Sequence, residues 1–134
     1  MQSRYALLVI GALLTLTSAG AVTAQDADDP GARREELARL AYIDAETSLA
    51  AGLSQPELVY QWSLRWLEAR AANDPAGKPA ALAEHLERMR ALKIKAKAMI
   101  ASGMWIPTQG TAVEFYVAEA EFWVGGGGAE RDAG

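Results

Sequence analysis

The sequence predicts an all-α fold, and three observations carry that expectation. Ala50-Ala51-Gly52-Leu53-Ser54-Gln55-Pro56 and Ala101-Ser102-Gly103-Met104-Trp105-Ile106-Pro107 are two versions of one break, a small-residue run into glycine with proline four positions later. Glycine takes the left-handed conformation that closes a helix, and proline is tolerated in the first turn of the next. Between the breaks apolar residues recur at spacings of three and four, and no stretch sustains the alternation of a strand. The expected architecture is antiparallel helical hairpins, either elongated and coiled-coil-like or a four-helix bundle, after an N-terminal signal peptide.

Residues 1–24 read as that signal. Arg4 supplies the positive start, Tyr5 to Leu16 the apolar core, and Val22-Thr23-Ala24 the small residues before a cleavage site. An uncleaved segment would instead act as a membrane anchor. Residues 25–30 follow as a short acidic leader expected to be flexible. Asp29 then suits an N-cap with Pro30 at the first helical position. From Gly31 to Ala51 the chain is rich in good helix formers, and Leu37, Leu40, Ala41, Ala45 and Leu49 draw one apolar stripe.

Ser54-Gln55-Pro56-Glu57 has the form of a capping box, in which the serine hydroxyl accepts an amide hydrogen bond and the glutamate reaches back. The second helix is expected over Pro56 to Ala72. It is apolar on two sides, with Val59, Trp62, Trp66 and Ala69 on one and Tyr60, Leu64, Leu67 and Ala71 on the other, so it needs neighbours on both. Residues 73–79, dense in breakers, predict a loop. The third helix is expected over Pro79 to Ser102, with Leu82, Leu86, Met89, Leu92, Ala96, Met99 and Ile100 on its stripe. Thr108 is the expected cap of the fourth, which carries Val113, Tyr116, Val117, Ala120, Trp123 and Val124. Gly125 opens a glycine-rich stop, and residues 125–134 are expected to form a disordered tail. The helical domain is thus residues 31–124.

Composition narrows the function classes. The chain has 134 residues, 13 basic against 17 acidic groups and no cysteine. A net acidic chain with no basic cluster argues against a nucleic-acid partner. Without cysteine an exported domain has no disulfide to staple it. Lys93, Lys95 and Lys97 fan around a helix and form no anion site. Glu114, Glu119 and Glu121, opposite Arg65, Arg70, Arg88 and Arg90, read as solvated faces and ion pairs. No cofactor is expected, and neither is an enzyme. Ser54, Ser63 and Thr108 are the available nucleophilic hydroxyls, and none has a histidine at a short fixed spacing.

His85 is the only histidine. With Met89 and Met99 it would offer soft ligands suited to a copper-type ion in a small-ligand or metal-binding bundle. The alternative places it half-exposed beside core methionines. The aromatic residues are the stronger candidates for contact: Tyr60, Trp62 and Trp66 on the second helix, and Trp105 in a turn that offers little burial. Trp62, Trp66 and Trp123 also suit a core.

Ala51-Gly52-Leu53-Ser54 with Glu57-Leu58 resembles the helical-hairpin turn of the outer-membrane efflux (TolC-like) family. Ala101-Ser102-Gly103-Met104, with Val113 and Ala118-Glu119-Ala120-Glu121, is similar more loosely. The runs Tyr60 to Leu67, His85 to Met89 and Glu119 to Trp123 resemble small exported helical proteins of planctomycete-type bacteria. The resemblance spans most of residues 36–124 and implies the hairpin without the channel, because no strands are available for a barrel. The expectation is an exported, non-catalytic structural or interaction module of the periplasm or cell envelope. Its partner would be another protein or a second copy.

Overall fold

The computed structural model describes residues 29–127. The signal segment and residues 25–28 and 128–134 lie outside the described residues. Within them the chain is all-α, with four helices and no strand: α1 (Pro30–Ala50), α2 (Pro56–Asn73), α3 (Lys78–Ala101) and α4 (Pro107–Val124). A single 3₁₀ turn, Pro75–Gly77, lies within the stretch expected as a loop.

The helix ends show how local chemistry sets these bounds. Asp29 caps α1 as expected, its carboxylate accepting from the amides of Gly31 at 3.0 Å and Ala32 at 3.4 Å. Gly52 (φ 73°) and Gly103 (φ 75°) close α1 and α3 in the left-handed conformation. In each case the glycine amide bonds back three residues and the next amide five: Gly52 to Leu49 and Leu53 to Ser48, Gly103 to Ile100 and Met104 to Met99. That pattern satisfies carbonyls the helix leaves orphaned. Gly126 (φ 89°) repeats it after α4, through Gly126 to Trp123 and Gly127 to Phe122. Residues 125–127 are therefore an ordered helix cap, where the sequence suggested the start of a disordered tail.

Two expected caps are not used. The N-cap of α2 is Gln55, without a side-chain cap, and the Ser54 hydroxyl is buried with no hydrogen-bond partner. At α4 the Ile106 amide donates to Gln109 Oε1 at 2.9 Å, so a glutamine three residues on does the work expected of Thr108. Gly110, unfavourable in a helix start, has a packing reason: a Cβ there would meet Cδ1 of Ile100.

Cross-helix contacts show that consecutive helices run in opposite directions. Asn73 at the end of α2 donates to Glu35 near the start of α1 at 3.0 Å. Lys93 and Arg90 of α3 meet Glu114 and Glu121 of α4 at 2.6 and 3.3 Å. Helix α1 packs along α2, α3 along α4, and the two pairs meet through α2 against α3 and α4. A hydrogen bond between the side chains of Gln55 and Gln109 ties the two glycine–proline breaks together at one end.

The core gathers Tyr42, Leu49, Val59, Leu86, Met89, Leu92, Val113, Val117 and their small neighbours. Each large side chain buried contributes about 1.5–3 kcal/mol. Two outcomes differ from the sequence expectation. On α1 the buried positions are Ala38, Tyr42, Ala45 and Leu49, while Leu37 and Leu40 face outward. Tyr42 wins the inward place because Trp66 lies 5.7 Å away to receive its ring. Trp105, expected to gain little burial in its turn and either to cover a helix end or to meet a partner, is only 8% exposed and belongs to the core.

Candidate functional site

Two regions of the fold carry chemistry: a polar cluster inside the helices and apolar side chains outside them. The inner cluster grows from a break in two apolar stripes. Along α2, Val59, Ser63 and Leu67 follow one another at four-residue spacing on the buried side, and Ala81, His85 and Met89 do so along α3. The polar members of the two series meet. Ser63 Oγ lies 2.8 Å from His85 Nδ1, and Arg88 Nε donates to Ser63 Oγ at 2.7 Å. A guanidinium only donates, so the Ser63 hydroxyl accepts from Arg88, and it shares a second hydrogen bond with Nδ1 whose direction follows the imidazole tautomer. The other ring nitrogen, Nε2, is buried without a partner among the described residues.

Aromatic rings close the cluster. Tyr60 and Trp123 flank the imidazole at 6.2 and 5.9 Å, and the Arg88 guanidinium stands 4.3 Å from the Trp66 ring and 5.5 Å from that of Tyr42. Burial pushes the His85 pKa down to about 4, helped by the Arg88 charge, and burial also lowers that of Arg88. The ring faces of Trp66 and Tyr42 offset part of the cost of holding a guanidinium away from water. Tyr60 stacks on Tyr116 at 4.0 Å and donates to Glu119 at 2.6 Å, while burial pushes its hydroxyl well above the usual range.

A serine hydrogen-bonded to a histidine is the opening arrangement of nucleophilic catalysis. Here Ser63 and His85 both have zero exposure. Among the described residues no carboxylate bonds the imidazole, and of the three cluster members only the half-buried Arg88 reaches the surface, where it lines a hollow with Tyr42 and Trp66. The cluster joins α2 to α3 through side chains and leaves His85 Nε2 as a buried polar atom without a partner among the described residues.

The candidate metal ligands do not come together. Met89 is buried one turn from His85, but Met99 lies fourteen residues further along α3, about 21 Å at 1.5 Å per residue. No group of three or more His, Cys, Asp or Glu suited to a metal ion occurs among the described residues. His85 is fully buried, where the bland expectation had it half-exposed. Tyr60, Trp62 and Trp66 are half-buried and pack on the core edge, and Trp105 is inside it. Of the four aromatic contact candidates, three keep an outward edge.

The exposed apolar residues are different ones. On the outer side of α4, Thr111, Phe115, Ala118 and Phe122 succeed one another at spacings of four, three and four, with Phe115 59% and Phe122 53% exposed. That is a second seam on the side away from the core. On α1, Leu37, Leu40 and Ile43 form an exposed ridge, with Leu37 53% exposed. At the end where the breaks meet, Leu53, Met104 and Ile106 project, and neither residues 47–56 nor residues 98–113 include a charged group. Sequence reasoning assigned Leu37 and Leu40 to the core. The outward spacing of Phe115, Ala118 and Phe122 was readable but masked by the inner stripe of the same helix.

No family model, curated protein or solved structure matches this chain. Among the described residues no helix is long and apolar enough to cross a membrane.

Proposed function

We propose that the chain is a non-catalytic helical-hairpin module that works by protein contact in the periplasm or cell envelope after export. The observation that supports it most is the apolar seam Phe115, Ala118 and Phe122 on the outside of a helix whose inner side is already packed. Phe122 covers Gly127 of the helix cap and Phe115 meets Tyr116 edge-on, yet both rings stay more than half exposed on one ridge, and such patches mark interaction sites. Arg4 to Ala24 support export, and the absence of cysteine suits a domain that relies on helix packing alone. The sealed Ser63–His85 pair supports a structural role for the polar groups. A metal-binding reading has less behind it, since Met99 stands so far from His85.

Chemical cross-linking in the producing cell tests the reading. Adducts of higher mass are expected for the natural protein, and they are expected to vanish in the F115S/F122S double variant while surviving Ile94→Ser on α3. Equal absence of adducts in all three would contradict it.

A further inference from the structure

A groove of about 540 Å³ runs between α1 and α2, with Leu37, Ala38 and the Trp62 ring in its wall. Its rim is basic. Arg33, Arg34 and Arg65 line it against a single acid, Glu68. None of the three arginines has an ion-pair partner among the described residues, and Arg65 lies 4.5 Å from the Trp62 ring that it covers. The groove is thus an aromatic and aliphatic seat surrounded by unspent positive charge.

The outer face of α4 is its complement. That helix carries Glu114, Glu119 and Glu121 and no basic residue. Glu114 and Glu121 are shared with Lys93 and Arg90 of α3, whereas Glu119 meets only the Tyr60 hydroxyl. Between these acids stand Phe115, Ala118 and Phe122. We infer that the occupant of the groove is the α4 face of a second copy of this chain, a deepening that rests on the interaction reading above. The charges also choose a direction. In an antiparallel register that sets Leu37 against Ala118, Leu40 meets Phe115, Arg33 meets Phe122, and Arg34 comes beside Glu121. Asp44 then lies beside the uncharged Thr111. The parallel register that keeps Leu37 on Ala118 would instead set Leu40 against Glu121 and carry Asp44 past the end of α4, and α4 against its own copy would bring two acidic faces together. Two different surfaces meet, so the contact is heterologous and propagates until it closes into a ring or runs on as a filament.

The heterologous form gives a test that no symmetric dimer would pass. Light-scattering mass is measured for the natural protein, for Leu37→Glu (groove blocked) and for F115S/F122S (seam blocked), with helix content and thermal unfolding checked for each. The natural protein is expected to exceed monomer mass, increasingly so with concentration, and to fall back at high salt. Each variant alone is expected to be a monomer, and their equimolar mixture to form a dimer that grows no further. The reciprocal charge pair, R33E/R34E with E119K/E121K, is expected to be monomeric as separate proteins and to associate on mixing, growing in alternation because both mixed contacts are then opposite in charge, and it guards against a folding defect in the first pair. A mixture that stays monomeric while the natural protein associates would overturn the groove–seam pairing. A natural protein that is monomeric throughout would overturn the second copy as occupant. The interaction module would then stand or fall on the cellular cross-linking alone.

Discussion

His85 is buried beside the Arg88 charge, and that burial has a measurable consequence. Neutral in the fold with a pKa near 4 and ordinary at 6.5 when unfolded, the imidazole is protonated first in the unfolded chain. Between those values the unfolded state binds more protons, so stability falls as pH drops from 6.5 to 4 and is unaffected by this group above 6.5. The loss is about 3 kcal/mol at 1.36 kcal/mol per unit. Urea titrations across that range are expected to show this slope in the natural protein and its removal in His85→Met, leaving only the carboxylate contribution. Ser63→Ala is expected to destabilise by about 1–3 kcal/mol for each orphaned partner, since His85 Nδ1 and Arg88 Nε both lose a bond. Gly52→Ala and Gly103→Ala each force a side chain into the left-handed region and are expected to cost about 1–2 kcal/mol in the same assay. The glycine roles were legible in the sequence because φ is a property of one residue. The Ser63–His85 bond was not, because it joins residues 22 apart whose meeting depends on how two helices rotate.

Among the elements, the two breaks are alike in backbone and unlike in what they bury. Leu53 and Met104 occupy the same position after their glycines, and both project into solvent. Trp105, one residue beyond Met104, turns inward and covers the end of the core, where its amide also bonds Met99. Trp105→Ala is therefore expected to lose about 3–5 kcal/mol, as a core tryptophan does. Leu53→Ser is expected to stay within about 0.5 kcal/mol. Thermal unfolding of the two variants side by side distinguishes them. Helix bounds were readable to within a residue or two, since glycine and proline punctuate locally. The inward face of α1 was not. Leu37, Leu40, Ala41, Ala45 and Leu49 satisfy helical spacing as well as Ala38, Tyr42, Ala45 and Leu49 do. What decides between them is the aromatic ring that Trp66 brings from another helix.

Seen whole, the molecule separates its polar chemistry from its apolar contacts in an unusual sense: a serine, a histidine and an arginine lie within, and phenylalanines and leucines lie without. These groups join α2 to α3, with Ser63 and His85 sealed from solvent and Arg88 half-buried above them. The outer groups stand largely clear of the core, and on the proposed pairing the basic groove beside α1 would receive the acidic seam on α4. The most direct measurement is photo-cross-linking from position 122 in the producing cell, with the adduct mapped by peptide mass. The account predicts adducts joining that position to the segment around Arg33–Leu37 or Trp62–Arg65 of another copy. Adducts that map to α3, or none at all while a probe at Lys78 reacts equally well, would contradict it.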